Sequence, residues 1–221
     1  MYHIDMMKKY IIFDFDGTII NTNDVILASW NETFNHYLGH SFSDSEIAWT
    51  FGETLEYTVK QRITQDDWQG VIDYYQEYQR QRCNELVTLF DGIKEMLDSL
   101  QSAGYRMAIA TSRLKDSFNM YMDKFGLWNY FEVVITKEDV INNKPDPESL
   151  NVTLNKLGAK PDEAVMLGDT RFDIGCAANA GVDSILIGWN PLVDLKRLEK
   201  EGYIPTHYIK KPEELLQLLN K

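Results

Sequence analysis

Short runs of apolar residues recur along the chain, and each is followed by polar or turn residues. The clearest are Tyr10–Phe15, Met107–Ala110, Val165–Leu167 and Ser184–Ile187, with Val133–Ile135 as a weaker fifth. Strands that are apolar on both faces are typical of a parallel sheet that is covered on both sides. The pattern therefore predicts a buried parallel sheet.

Helical patterns separate these predicted strands. Apolar residues at helical spacing indicate two helices, with Ile93, Met96, Leu97 and Leu100 in the first and Phe118, Tyr121, Met122 and Phe125 in the second. Gly104 and Gly126 follow them as stop signals, and Pro147 after Asp146 predicts the first residue of a third helix with an aspartate cap. Strands that alternate with helices favour a Rossmann-like, doubly wound α/β fold, in which ligands bind at the carboxyl ends of the strands.

The segment from Asn21 to Leu86 interrupts this alternation with a helical pattern. Its first apolar stripe consists of Ile26, Leu27, Trp30, Phe34, Tyr37 and Leu38 and is closed by Gly39. Ser43 and Glu46 match a capping box, and aromatic residues are expected to pack the interior of the segment. We therefore predict an α/β core domain formed by residues 1–20 and 87–221, and an inserted all-helical domain at residues 21–86.

Charge and composition narrow the classes of function. The 221 residues carry a formal net charge of −12, and 44% of them are hydrophobic, as expected of a globular protein with a buried core. An acidic chain is a poor candidate for binding nucleic acid or an anionic membrane surface. An anion site in this chain must therefore obtain its positive potential locally, from a metal ion, a lysine or helix N-termini.

Targeting and redox features are few. The chain has no apolar run of about 18 residues, and its N-terminal segment lacks the apolar stretch of a signal peptide. Cys83 and Cys176 are too few for a disulfide framework and are expected to be reduced thiols. These features predict a cytoplasmic protein.

The first predicted strand ends in two acids, within the stretch Phe13-Asp14-Phe15-Asp16-Gly17-Thr18. Residues two apart on a strand point to the same side, so Asp14 and Asp16 are both expected near its carboxyl end unless the Gly17 turn rotates the second. A turn explains Asp16 before Gly17, but burying Asp14 without a partner costs several kcal/mol. A nearby metal ion or lysine would remove that cost.

Candidate partners for these acids occur later in the chain. Thr111 and Ser112 follow one strand and offer hydroxyl groups to phosphate oxygens, and Lys144 lies in a proline-rich turn that enters a helix. Asp169 and Asp173 follow Gly168 after another strand, a spacing that suits a metal site. Each element alone is explained by a helix cap or a solvated lysine. Their order and their placement at successive strand ends favour a single site.

Together these elements resemble the four motifs of the haloacid dehalogenase superfamily, most of whose members are phosphatases. The resemblance extends from about Tyr10 to Gly188 and includes the stretches Phe90–Ile93, Gly104–Tyr105, Thr111–Arg113 and Ala177–Val182. The helical insertion resembles the cap of the phosphoglycolate phosphatase-like branch.

The resemblance implies that Asp14 is the nucleophile and forms an aspartyl-phosphate, while Asp16 protonates the leaving oxygen and then activates water. Thr111 and Lys144 join them as catalytic residues. Backbone amides near Gly17 and Ser112, together with the Thr111 hydroxyl, would hold the phosphate.

The resemblance also implies Mg²⁺ as cofactor, because a carboxylate that attacks a phosphate dianion faces charge repulsion. The expected ligands are the carboxylates of Asp14 and Asp169 and the backbone carbonyl of Asp16, with Asp173 as a supporting residue. The presence of Asp16 favours phosphoryl transfer over dehalogenation, since halide departure needs no proton.

Two stretches depart from the resembled branch. Asn21-Thr22 replaces an aspartate followed by serine or threonine, and Phe51-Gly52-Glu53-Thr54 replaces a Gly-Leu-Pro-Leu specificity loop. Phe51, Gly52 and Arg113 are predicted to contact substrate. Glu53 would repel an anionic substrate tail, which argues against phosphoglycolate itself.

The sequence thus predicts a magnesium-dependent phosphatase that hydrolyses a small phosphate monoester, as a monomer or homodimer. Alternatives within the superfamily are a phosphomutase, a nucleotidase, a pyrophosphatase, or a phosphonatase that uses Lys60. A receiver-like signalling module also combines acids, Mg²⁺, threonine and lysine, but it is shorter and has no helical insertion. A binding protein on the same fold is disfavoured by the full set of catalytic residues.

Overall fold

The computed structural model describes residues 8–51, 53–64 and 67–220. The chain forms two compact units, one made of Met1–Ile20 and Leu89–Lys221 and the other of Asn21–Thr88. We call them the core unit and the inserted unit. That each folds as an independent domain stays a prediction.

A six-stranded parallel sheet forms the centre of the core unit. The strands among the described residues are β1 (Tyr10–Phe13), β2 (Ile20–Asn21), β3 (Thr88–Leu89), β4 (Arg106–Ala110), β5 (Phe131–Ile135), β6 (Ala164–Gly168), β7 (Asp183–Ile187) and β8 (His207–Ile209). The order in the large sheet is β5-β4-β1-β6-β7-β8, and β2 pairs with β3 in a separate small sheet. The predicted α/β class with a parallel sheet is confirmed.

The register of the sheet brings several strand ends to one place. Phe13, the last residue of β1, lies opposite Ile109 of β4 and Leu167 of β6. All four residues of β1 are buried, as their apolar pattern predicts. The residues that follow β1, β4 and β6 therefore meet at the carboxyl edge of the sheet, where ligands bind in open α/β folds.

Helices connect the strands and make up most of the inserted unit. They are α1 (Asn23–Leu38), α2 (Asp44–Ile47), α3 (Leu55–Arg62), α4 (Trp68–Leu86), α5 (Ile93–Ser102), α6 (Lys115–Phe125), α7 (Glu148–Leu157), α8 (Arg171–Ala180), α9 (Leu195–Lys200) and α10 (Glu214–Leu219). The predicted cap at Asp146 is present, since its Oδ1 accepts a hydrogen bond from the Glu148 N–H at 2.9 Å. Pro147 takes the N-cap position, so α7 begins one residue later than predicted.

The inserted unit packs around its own apolar cluster. Trp30, Phe34 and Tyr75 are buried there, with ring centroids 5.3 Å apart for Trp30–Phe34 and 4.3 Å apart for Trp30–Tyr75. The predicted capping box is present, and the Glu46 carboxylate accepts hydrogen bonds from the N–H and hydroxyl of Ser43 at 2.9 and 2.7 Å.

Two features of the core unit differ from the sequence prediction. The first strand ends at Phe13 instead of Phe15, because a tight turn follows in which Ile19 and Ile20 donate hydrogen bonds to the Phe15 carbonyl. Strand β8 was not predicted, since two of its three residues are exposed and it carries no apolar run.

The cysteines are free and buried, and no helix among the described residues is long and apolar enough to span a membrane.

Candidate active site

Asp14 occupies the centre of the carboxyl edge. It directly follows β1, and its N–H donates a hydrogen bond to the Leu167 carbonyl of β6 at 2.8 Å, which extends the pairing of the two strands by one residue. The residue is only 8% exposed. A carboxylate in such a place needs charged or hydrogen-bonding partners.

Lys144 is the partner of Asp14. Its Nζ donates to Asp14 Oδ1 and to Asp173 Oδ1, both at 2.7 Å, and its side chain is 4% exposed. Asp173 Oδ2 accepts from the N–H and hydroxyl of Thr170 at 3.0 and 2.7 Å, in a capping box at the start of α8. Both oxygens of Asp173 are therefore occupied by partners, and the carboxylate fixes the lysine against Asp14.

Asp169 lies beside this pair, immediately after β6. Its Oδ1 accepts from the Thr18 hydroxyl at 3.3 Å, and its Oδ2 accepts from the Asn190 Nδ2 at 3.0 Å. Gly17 has φ of 75°, and a Cβ at that position would lie 2.2 Å from Asp169 Oδ2. Only glycine allows the turn after Asp16 to pass so close to this carboxylate.

Asp16 makes an ion pair with Arg113. Arg113 Nε donates to Asp16 Oδ1 at 3.0 Å and to Oδ2 at 2.8 Å, and Nη2 donates to Oδ1 as well. The guanidinium also lies 4.9 Å above the centre of the Tyr121 ring and donates to the Ser117 hydroxyl at 3.2 Å. Asp14 and Asp16 thus have different cationic partners.

Thr111 and Ser112 lie in the loop between β4 and α6. Thr111 is buried, and its Oγ1 accepts from the Arg113 N–H at 3.1 Å, which leaves its own hydrogen available to a ligand. Ser112 is exposed. The loop therefore offers one oriented hydroxyl group and one that faces solvent.

The electrostatics of the cluster are unbalanced. The cluster contains four carboxylates and two cationic side chains. The carboxylates are those of Asp14, Asp16, Asp169 and Asp173, and the cations are Lys144 and Arg113. Burial raises the pKa of Asp14 to about 7, with the Lys144 cation opposing this rise and the Asp173 carboxylate adding to it. Burial, and then the Asp173 and Asp14 charges, raise the pKa of Asp169 well above its ordinary value.

Lys144 is held as a cation. Burial alone would lower its pKa, but the carboxylates of Asp14 and Asp173 outweigh that effect and raise it. The site therefore keeps a fixed positive charge 2.7 Å from Asp14.

The donor set fits a hard divalent cation. Asp14, Asp169 and Asp173 each offer a carboxylate oxygen, and these oxygens lie within 4.8 Å of one another. Burial and neighbouring carboxylates raise the pKa values of Asp14 and Asp169, and a cation bound between them would favour their ionised forms. Oxygen ligands of this kind suit Mg²⁺, which is held by one or two carboxylates together with waters and substrate oxygens.

The predicted site residues of the core unit lie at this carboxyl edge, and the two remaining ones belong to the inserted segment. Phe51 belongs to the inserted unit, where it is partly buried and its N–H donates to the Ala48 carbonyl at 3.3 Å. Gly52 lies outside the described residues. Their predicted contact with substrate stays a prediction.

Sequence reasoning missed the loop after β7. The Asn190 side chain is 2% exposed and donates to the Gly17 carbonyl as well as to Asp169, at 3.2 and 3.0 Å. Trp189 Nε1 donates to the Thr18 carbonyl at 2.9 Å. The strand before this loop was predicted, so its carboxyl end could have been searched for polar groups aimed at the same edge.

Known proteins resemble this chain in sequence. The sequence profile of the haloacid dehalogenase-like hydrolases matches residues 11–187. A pyrophosphatase PpaX from Bacillus velezensis is 34% identical over 215 residues, which cover 97% of this chain and 97% of the relative. A second pyrophosphatase PpaX, from Bacillus pumilus, is 36% identical over 180 residues, or 81% of this chain and 83% of the relative.

Solved structures share the fold. A provisionally assigned haloacid dehalogenase-like hydrolase from Bacteroides fragilis has a TM-score of 0.81 at 25% identity, over 96% of this chain and 99% of that one. A provisionally assigned phosphoglycolate phosphatase from Lactobacillus plantarum has a TM-score of 0.83 at 24% identity, over 96% and 100% of the two chains. The chain is therefore an enzyme of the haloacid dehalogenase-like hydrolase family.

Proposed function

We propose that this enzyme hydrolyses a phosphate group of a small phosphorylated metabolite, with Asp14 as nucleophile and Mg²⁺ as cofactor. The observation that carries the proposal is the buried Asp14 carboxylate, held by Lys144 at 2.7 Å beside Asp169 at the carboxyl edge of the sheet. A structural aspartate gains nothing from so costly an environment, whereas a nucleophile that must meet an anion needs it.

In the proposed reaction, Asp14 and Asp16, the two acids that follow β1, have separate roles. An Asp14 carboxylate oxygen attacks phosphorus, and the bond from phosphorus to the leaving oxygen breaks with its electron pair on that oxygen. Asp16 in its protonated form gives its proton to the leaving oxygen and then, as a carboxylate, takes a proton from the water that attacks the aspartyl-phosphate. Inorganic phosphate leaves, and both carboxylates return to their starting states.

Fixed groups in the core unit would hold the phosphate. Thr111 offers a buried hydroxyl, backbone N–H groups near Gly17 and Ser112 offer donors, and Lys144 contributes positive charge. Such preorganised donors stabilise the charge that develops on the transferred group.

The proposed metal ligands are the carboxylates of Asp14 and Asp169 and the backbone carbonyl of Asp16. Asp173 is assigned to support, because its Oδ1 accepts from the Lys144 cation and its Oδ2 accepts two hydrogen bonds from Thr170, whereas Asp169 accepts only single hydrogen bonds from neutral groups. When bound, Mg²⁺ offsets the repulsion between the nucleophile and the phosphate oxygens. Location in the cytoplasm and a monomeric or homodimeric state stay predictions.

Two substrate classes fit this proposal. Inorganic pyrophosphate is favoured by relatives that are named pyrophosphatases and align over nearly the whole chain. A small phosphate monoester is the substrate predicted from the sequence. Both reactions use the same nucleophile, and they differ in whether the leaving group is a phosphate or an alcohol.

The test is phosphate release from a panel that contains pyrophosphate, sugar phosphates and nucleotides, with Mg²⁺ and then with EDTA. We expect magnesium-dependent release that falls at least about 10⁴-fold in Asp14→Asn, because removal of a nucleophile abolishes covalent catalysis. The matched control is Asp162→Asn, an exposed aspartate before β6 that should keep full activity. Turnover by folded Asp14→Asn at near the wild-type rate would refute the mechanism.

Asp16→Ala tests the acid–base role separately. We expect a loss of at least about 100-fold in kcat with an alkyl phosphate, whose leaving oxygen needs a proton. An unchanged rate with that substrate would remove Asp16 from the mechanism. Comparison of water with a sugar phosphate as phosphoryl acceptor separates hydrolysis from mutase activity.

A further inference from the structure

We propose that Arg113 selects substrates that carry a second anionic group next to the transferred phosphate, by exchanging the Asp16 carboxylate for that group. The inference rests on the proposed phosphohydrolase function and names its substrate class. That class is the diphosphates, with inorganic pyrophosphate as the simplest member.

Arg113 is held in place by contacts that do not involve Asp16. Its backbone N–H donates to the Thr111 hydroxyl oxygen at 3.1 Å, so the residue belongs to the loop that carries a proposed phosphate contact. Its guanidinium lies against the Tyr121 ring and donates to the Ser117 hydroxyl. These contacts are independent of Asp16, so the guanidinium keeps its position when its anionic partner changes.

The ion pair with Asp16 is accessible enough to exchange. The Asp16 side chain is 29% exposed and that of Arg113 is 13% exposed, in contrast to the 4% of Lys144. The guanidinium fork fits carboxylate and phosphate oxygens equally well, in paired hydrogen bonds. A phosphate that enters the site can therefore replace the carboxylate without loss of hydrogen bonds to the arginine.

The exchange also affects Asp16. Both of its oxygens accept hydrogen bonds from Arg113, and guanidinium has only donors. While the pair is made, both oxygens point at the guanidinium, so Asp16 must leave Arg113 before it can give a proton to a leaving oxygen. A substrate with a second phosphate releases Asp16 as it binds Arg113, whereas a monoester with an uncharged leaving group offers no anion to compete for the arginine.

Binding of non-hydrolysable probes tests this selection without relying on turnover. Methylenediphosphonate and methylphosphonate are titrated calorimetrically into the Mg²⁺-loaded protein. We expect wild type to prefer the diphosphonate by at least about tenfold, within the range that charged hydrogen bonds supply. Arg113→Met should remove most of this preference, and Arg113→Lys should keep part of it, because lysine retains the charge but not the fork.

Two further variants sharpen the test. Asp16→Asn removes the carboxylate charge that competes with a second anion for the guanidinium, so the ratio of the two affinities should rise above that of wild type. Arg106→Met is the matched control. Arg106 is the first residue of β4, at the amino-terminal ends of the strands and away from the site, and it pairs with Glu132 on the surface. It should leave the ratio unchanged.

The outcomes are distinguishable from failure of the proposed function. An Arg113→Met protein that binds both probes more weakly by the same factor, or keeps the wild-type ratio, would overturn the selection by Arg113. If wild type releases no phosphate from any substrate, the proposed function fails, and the binding ratios still decide whether Arg113 recognises a second anion. If pyrophosphate is hydrolysed but Arg113→Met keeps its kcat/KM ratio of pyrophosphate to glycerol 2-phosphate, only the inference fails.

Discussion

The core unit contains a buried ion pair at the carboxyl edge of its sheet, which can be compared with an exposed ion pair of the inserted unit. In the core unit, the side chains of Lys144 and Asp173 are 4% and 2% exposed and form an ion pair at 2.7 Å. In the inserted unit, Lys60 and Glu56 also form an ion pair, but their side chains are 51% and 52% exposed. Burial of ions costs several kcal/mol each unless they are well paired, whereas exposed pairs change stability little.

The interiors differ accordingly. The inserted unit is packed by aromatic and aliphatic side chains such as Trp30, Phe34 and Val71, which stabilise it through apolar burial. The core unit has an equally apolar sheet, yet it buries a lysine among carboxylates at one edge. Buried charge that weakens the fold locally is the expected mark of a functional site, and it occurs here at the carboxyl ends of the strands.

Removal of one lysine from each unit should show most clearly how the loss of a buried ion pair differs from the loss of an exposed one. Lys144→Met leaves Asp14 and Asp173 buried without a cation, so we expect it to lower the free energy of unfolding by about 3–5 kcal/mol. Lys60→Met removes only an exposed pair and should cost less than about 1 kcal/mol. Urea denaturation in EDTA measures both values.

The same comparison can fail in an informative way. If the two variants lose equal stability, the Lys144 cluster contributes no more than a surface ion pair, and its burial is not a special feature. If Mg²⁺ restores part of the stability lost in Lys144→Met, the remaining carboxylates have taken up the cation in place of the lysine.

Substitution of Asn190 should have a smaller effect, at the same carboxyl edge of the sheet. Its amide orients Asp169, and loss of such a supporting hydrogen bond typically weakens metal binding by about 10–100-fold. We expect this loss of Mg²⁺ affinity in Asn190→Ala, measured by calorimetry on the protein without substrate. Asn155→Ala, at an exposed position of α7, is the control and should bind Mg²⁺ normally.

The pH dependence of stability tests the buried carboxyl group of Asp14 in the core unit without any mutation. The pKa of Asp14 is raised to about 7 in the folded chain, against 3.8 when unperturbed, so between about pH 4 and about pH 7 the folded state retains a proton that the unfolded state has lost. Stability in EDTA should therefore fall as pH rises through this range. A decrease in Tm of about 2–4 °C corresponds to about 1 kcal/mol for a chain of this size.

Saturating Mg²⁺ should abolish or reverse this decrease, because the cation favours the ionised carboxylates. Asp14→Asn removes one of the two buried carboxyl groups whose pKa is raised and should make the profile in EDTA less steep, while Asp169 keeps part of the pH dependence. A Tm in EDTA that rises steadily from pH 5 to pH 8 in the wild type would contradict the raised pKa.

The smallest expected effect lies in the inserted unit. The Thr54 hydroxyl oxygen caps α3 by accepting a hydrogen bond from the Tyr57 N–H at 3.2 Å. Thr54→Ala should cost about 1 kcal/mol of stability, the usual value for a lost N-cap. The Mg²⁺ affinity should not change, and a change in that affinity would mean that the inserted unit influences the metal site.

The sequence alone predicted the parallel sheet, the helices that alternate with it and the residues at its carboxyl edge. Apolar runs such as Val165–Leu167 are sufficient for this, because a strand covered on both faces is apolar at every position. Asp14 could be singled out because a charged residue at the end of such a run is costly without a partner, and Lys144 and Asp169 because of their order and placement relative to the predicted strands. Strand β8 escaped, since an edge strand that is half exposed has no such pattern.

Only the tertiary structure decided which charged groups are partners. The sequence could not pair Arg113 with Asp16 or Lys144 with both Asp14 and Asp173, because these contacts join residues 29 to 130 positions apart. Nor could it place Asn190 on Asp169, since an asparagine after a strand is ordinary loop chemistry until the neighbouring strand is known. Sequence patterns report what each residue requires from its surroundings, and the sheet register determines which residue meets that requirement.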